Sequence, residues 1–278
     1  MLKKLLKYDL KSIFKYWWIA AIVSIGLSIA GGLAISITAS DKDVPAFISV
    51  LVVFSILFAI IGIFAFPILT YILAYVRYYK NFFTDEGYLT FTLPVKRSQL
   101  LNSKLISNLL VMFCSGIVVF ADIFILISLG VGNDFYNEVI MPISNAIAKL
   151  FNSISTSDCI YLCLMILAAI AILILITVFS TLMIFACITF AAVITKKAKV
   201  IAAIGIYYVT NWVITGFMQL VYIFGITSIG NLISTMPESV GVPTVTIMLY
   251  AVVVFLGLLC LLLYTLNYFM LDRKLNLA

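Results

Sequence analysis

The 278 residues are 65% hydrophobic and only 10% charged, with a net charge of +6 and no histidine. Soluble domains average about 45–50% apolar and about 25% charged residues, so a chain with mean hydropathy +1.24 has too little polar surface to dissolve in water. Its basic residues sit in short clusters between apolar runs, which excludes a contiguous nucleic-acid-binding face and fits loop charges that orient helices in a bilayer.

The fold class is therefore an all-α polytopic membrane protein, one transmembrane domain over residues 1–278 with six transmembrane helices. Residues 1–16, MLKKLLKYDLKSIFKY, place Leu2, Leu5, Leu6, Leu10, Ile13 and Phe14 at helical spacing. Lys3, Lys4, Lys7, Lys11 and Lys15 take the other side. Such a segment lies in the interface with its lysines toward anionic headgroups. The apolar run that follows, over 17–38, is too long for the h-region of a signal peptide, about 7–15 residues. It is read as a first span, with Trp17 and Trp18 as interfacial anchors.

A polar break at Asp41-Lys42-Asp43 precedes a second span over 46–76, with Pro67 tolerated as a kink. Residues 77–104 form the longest interval in which charges recur. The third span covers 105–129, and residues 130–158 read as a loop with one short helix. The fourth span covers 159–194 and is closed by Lys196, Lys197 and Lys199. The fifth covers 200–226, and the turn-rich SIGNLISTMPESVGVP predicts a re-entrant or outer-surface helix before the sixth span over 244–271. Six crossings put both termini on one side. Fifteen of the 17 basic residues then share that side, the exceptions being Lys42 and Lys149. The positive-inside rule makes that side cytoplasmic and the chain a multi-pass protein of the cell membrane.

The residues offer little for catalysis. A general base is usually His or a pair of carboxylates; histidine is absent and Asp122 is the one acid well inside a span. No G-x-x-x-x-G-K-[ST] phosphate loop occurs, so the chain is not read as an enzyme and any ATP hydrolysis would belong to another chain. No metal or other cofactor is expected in this chain. Cys114, Cys159, Cys163, Cys187 and Cys260 lie in or at the ends of apolar runs and read as small buried hydrophobes.

Asp122 lies 18 residues beyond Lys104, roughly 27 Å along a helix. A charge there is a functional candidate by default. It either reaches the outer interface or faces a dimer or substrate path, with Gln219 at similar depth as a partner. Asn211, nearer mid-membrane, joins Asp122 and Gln219 as a candidate for the substrate path, and the commoner role for it and for Asn267 is a helix–helix hydrogen bond.

In the polar interval, Tyr78, Tyr79, Phe82 and Phe83 suit the membrane surface. Thr84 is placed to cap a short helix, with Asp85 and Glu86 favouring its positive end. Tyr88, Leu89, Phe91 and Leu93 give that helix an apolar surface, Pro94 ends it, and Ser98 is placed to cap the next. An apolar surface outside the membrane either docks a partner or folds back on its own membrane domain.

Glu86-Gly87-x-Leu89, followed by Leu93-Pro94-Val95-x-Arg97-x-x-Leu100-x-x-x-Lys104, resembles the connection between the second and third spans of type 2 ABC-transporter permeases, the transmembrane subunits of bacterial ABC exporters. The basic amphipathic start, the six spans and the outer segment before the last span extend the likeness over essentially the whole chain. Gly87 and Pro94 are seven apart, about two fewer than in the commonest family form, which implies a shorter coupling element. The resemblance implies that Thr84, Asp85, Glu86, Gly87, Tyr88, Leu89 and Phe91 form a cytoplasmic coupling helix docking on an ATPase. It implies two ATPase subunits carrying ATP and magnesium, and a second permease, either a copy or a relative. The substrate would be amphipathic or hydrophobic: a peptide, drug or lipid. The alternative is a non-transporting sensor or scaffold that binds a soluble partner through residues 77–104.

Overall fold

The computed structural model describes residues 2–40, 45–84, 87, 92, 95–132, 135–153, 156–195, 198–235 and 238–273. Every regular element among them is helical: α1 (Leu2–Ser40), α2 (Ala46–Phe83), α3 (Arg97–Val131), α4 (Met141–Ser153), α5 (Thr156–Ile194), α6 (Lys199–Thr235) and α7 (Glu238–Arg273). A single π turn, Tyr136–Ile140, leads into α4. Six of these helices are long and apolar enough to cross a membrane. Helices satisfy their own backbone groups, which is why apolar sequence of this length forms them where water is absent. The chain is a multi-pass membrane protein.

The helices are longer than the apolar runs. Residues 1–16 are not set off from the first span, because α1 runs unbroken from Leu2. Helix α2 continues through Pro67. The re-entrant segment expected before the last span is absent from the described residues. There α6 extends to Thr235 and α7 starts at Glu238, carrying Pro243 within it. The turn formers in that stretch lie inside or between two long helices, whose flanking backbone bonds outweigh weak local propensity.

The chain divides into two compact units, the first made of residues 1–80 and 102–153, the second of 81–101 and 154–278. In the first, α1 presents one buried stripe: Asp9, Ile13, Trp17, Ala21, Ser24, Ser28, Gly31 and Ala34. Steps of three and four residues keep these on one helix face. Ile13, Trp17 and Ala21 pack with Phe66 of α2 and Val111 of α3. Trp17 is 3% exposed and sits edge-on to Phe14, 5.1 Å between centroids. It is therefore a core residue, a correction to its reading as an interfacial anchor, because it shares the face of Ile13 and Ala21. Trp18, one residue round the helix, is 59% exposed.

Farther along, a Cβ on Gly31 would lie 2.5 Å from the Cβ of Ala59, and one on Gly32 would lie 2.8 Å from that of Leu129. Neither position admits a side chain, so the backbone of α1 comes close to both α2 and α3, as small residues permit in membranes. The pairs Trp17 with Phe66 and Gly31 with Ala59 run in opposite senses, so α2 is antiparallel to α1. Asp9 with Lys104 and Gly32 with Leu129 rise together, so α3 is parallel to α1. Gly132, at φ +64°, follows the last residue of α3 in the left-handed conformation that commonly ends a helix.

In the second unit α5 packs against α6 and α7. Tyr250 Oη donates to the Leu164 carbonyl at 3.3 Å and Asn267 Nδ2 to the Leu182 carbonyl at 3.0 Å. The Cys260 thiol meets the Leu175 carbonyl at 3.6 Å. The offsets are 86, 85 and 85 residues, so α5 and α7 run parallel. Cys187 and Cys260 are buried, but Cys163 is exposed, which corrects its reading as a buried hydrophobe.

Candidate functional site

The polar interval, residues 77–104, begins within the last turns of α2, which ends at Phe83. The Gly87 N–H donates to the Thr84 carbonyl at 2.7 Å. A Cβ on Gly87 would stand 2.7 Å from the Phe82 carbonyl oxygen. Only glycine fits this turn. Of the residues assigned to a coupling helix, Thr84 and Gly87 are described; Asp85, Glu86, Tyr88, Leu89 and Phe91 lie outside the described residues.

The far end of the interval is anchored. Helix α3 opens on the Lys96 carbonyl, which accepts from the N–H groups of Gln99 at 2.9 Å and Leu100 at 3.3 Å. Ser98 is thus inside the first turn, a correction to its expected place as the cap. Arg97 donates through Nη1 to the carbonyls of Leu271, at 2.7 Å, and Asp272, at 2.6 Å. The same nitrogen lies 3.2 Å from the Asp272 carboxylate. The last carbonyls of a helix have no partner within it and carry its negative end, so a guanidinium there closes α7. The motif arginine thus ties the polar interval to the last turn of the final spanning helix.

Lys104, the last motif residue, is paired with Asp9 of α1, the two side chains 8% and 6% exposed. The Ser103 hydroxyl adds a 3.5 Å contact to the same carboxylate. A buried pair of this kind fixes register more than it stabilises, since desolvation offsets much of its attraction. Sequence reasoning passed over Asp9, although it is the one acid among five lysines in residues 1–16.

The intramembrane residues are placed separately. Asp122 is fully buried, and Ser24 and Ser28 of α1 supply the hydroxyls that face it. Ser24 donates to the Ala21 carbonyl at 3.1 Å, and neither carboxylate oxygen closes a full hydrogen bond. Asp122 is thus interior to the first unit, and the groups set against it are these two serines where sequence suggested Gln219. Asn211 and Gln219 belong to the second unit, where both are exposed on α6. Asn267 is buried and serves as the helix–helix hydrogen-bonding group expected of it. Lys3, Lys4, Lys7, Lys11 and Lys15 are all exposed. Among the described residues no three acidic or cysteine side chains group to hold a metal ion.

Comparison with protein families, with curated proteins and with solved structures finds no match for this chain.

Proposed function

We propose that this chain is the transmembrane subunit of an ATP-driven exporter. It pairs with a second permease, identical or related, and is driven by two separate ATPase subunits that bind ATP and magnesium. The observation that carries the reading is the polar interval between the second and third spanning helices. It holds the Glu86-Gly87-x-Leu89 and Pro94-Val95-x-Arg97 pattern of type 2 ABC permeases. Two motif positions also have local physical reasons: Gly87 has no room for a side chain, and Arg97 closes α7. Parallel α1 and α3 with antiparallel α2 suit three successive crossings. Fifteen of the 17 basic residues then fall on one side, which the positive-inside rule makes cytoplasmic together with both termini.

In this reading ATP binding draws the two ATPases together and residues 84–91 move with them. The paired permeases then rock between inward and outward states, carrying an amphipathic or hydrophobic substrate. A displacement at 84–91 reaches the last spanning helix through Arg97. It reaches the first through Lys104 and Asp9, because both cations sit at the start of α3. Glu86 and Asp85 contact the ATPase, and Tyr88, Leu89 and Phe91 fill its groove. Charge reversal at Glu86 combined with Leu89→Asp abolishes co-purification of the phosphate-loop ATPase that associates with the wild-type chain, while membrane insertion is retained. Undiminished co-purification of the inserted variant overturns the proposal.

A further inference from the structure

The seam between α1 and α3 holds a carboxylate with no countercharge from the helices around it. Asp122 is fully buried, and neither of its oxygens completes a hydrogen bond. Ser24 and Ser28, one turn apart on the buried stripe of α1, are 3% and 0% exposed and face it. The Ser24 hydroxyl donates its hydrogen to the Ala21 carbonyl at 3.1 Å, so what it can offer Asp122 is oxygen lone pairs. The Ser28 oxygen has no hydrogen-bond partner. Residues 17–40 of α1 and 46–70 of α2 carry no ionisable side chain, and residues 105–131 of α3 carry only Asp122 and the Cys114 thiol. An uncompensated carboxylate is among the costliest groups to bury in an apolar interior, and inside a span it is a functional candidate by default. The seam itself is pinned on either side of the site. Asp9 pairs with Lys104 before it, and Gly32 brings α1 against Leu129 one turn beyond Ser28.

We infer that Asp122, Ser24 and Ser28 form a binding site for one sodium ion. The carboxylate and the two hydroxyls offer only oxygen, the donor set of a hard cation. One carboxylate carries one negative charge, which a monovalent ion cancels and a divalent ion overshoots. Selection between hard cations follows cavity size, ligand number and flexibility. The close backbone approach at Gly32 keeps the two helices tight beside the site and favours sodium over the larger potassium ion. Bound sodium neutralises Asp122 and joins α1 to α3, so the packing of this seam depends on the ion. The site involves no ATPase partner and does not rest on the exporter reading.

The test follows thermal unfolding of the purified full-length chain in detergent while sodium chloride, potassium chloride or choline chloride is titrated at constant ionic strength and pH. A ligand that binds only the folded state raises its midpoint as concentration passes the dissociation constant. Sodium is expected to raise the wild-type midpoint above that in choline, with a smaller rise in potassium. Asp122→Asn, which has no charge to neutralise, is expected to start higher in choline and to show no sodium increment. Ser24→Ala/Ser28→Ala keeps the carboxylate and is expected to raise the half-saturating sodium concentration roughly 10-fold or more, since even an outer-shell partner is worth about 10–100-fold in metal affinity. Asn267→Leu, in the other unit, is expected to keep the full increment. Equal midpoints in the three chlorides or a sodium increment retained in Asp122→Asn would each overturn the site. So would a wild-type midpoint that follows acid in a parallel pH series and ignores sodium, which would make a proton the neutralising ion.

Discussion

Each unit contains one pair of parallel spanning helices in fixed register, and the two pairs are held by different chemistry. Between α1 and α3 the contacts include the Asp9–Lys104 ion pair and the carboxylate of Asp122 facing two serines, with a close glycine approach at Gly32. Between α5 and α7 the polar contacts are neutral donors to backbone carbonyls, from Tyr250, Cys260 and Asn267. A carbonyl that loses a side-chain donor keeps its bond within its own helix. A buried charge that loses its partner keeps nothing. The first pair is therefore specific and brittle, while the second is adaptable, and only the first joins the motif end of α3 to the basic N-terminal helix.

The comparison breaks most sharply at Lys104. Lys104→Met strands Asp9 and is expected to destabilise the protein by about 3–5 kcal/mol, seen as a large fall in the unfolding midpoint in detergent. Adding Asp9→Leu to that variant should recover most of the loss, since a well-packed apolar pair replaces a buried ion pair at little cost. A smaller loss is expected at the glycine approach. Gly31→Val forces a branched side chain against Ala59 and should cost about 1–3 kcal/mol by overpacking, measured by the same midpoint and by disulfide trapping across α1 and α2.

Asp122 sharpens the contrast from the opposite direction. Its carboxylate is buried without a completed hydrogen bond, so Asp122→Asn is expected to stabilise the protein by roughly 1–3 kcal/mol. Thermal unfolding reads that gain, and a transport assay on the same variant tests whether the carboxylate is used: unchanged transport retires a functional role. The smallest effect belongs to the neutral pair. Asn267→Leu removes one interhelical hydrogen bond and should cost only about 0.6 kcal/mol, the average for such bonds in a membrane protein.

The six spans and the helical class were legible because a run of 20 or more apolar residues has few alternatives in lipid. The long uncharged run after Val200 was harder. Its turn formers predicted a separate segment, yet the described residues remain in two long helices. Trp17 was misread because side-chain type alone cannot say which flank of a lysine-rich helix meets neighbouring helices. Its spacing from Ile13 and Ala21 held the answer. Asp9 and Lys104 are 95 residues apart, and nothing local announces their pairing except that Asp9 is the one acid in a basic helix. The serines facing Asp122 were likewise invisible, since serine is common within spans and only the parallel register of α1 and α3 brings them to that depth. Gly87 and Arg97 were found as motif residues, and the structure supplies their local reasons in close packing and helix closure.

The central claim is that a separate ATPase drives this membrane subunit through residues 84–91. The most direct measurement is ATP hydrolysis by the phosphate-loop ATPase that co-purifies with this chain, reconstituted in vesicles with the wild-type chain or with the Glu86→Lys/Leu89→Asp variant at matched insertion. The account predicts that the wild type raises the hydrolysis rate above that of the ATPase alone and that the variant does not. Equal stimulation by both would contradict it.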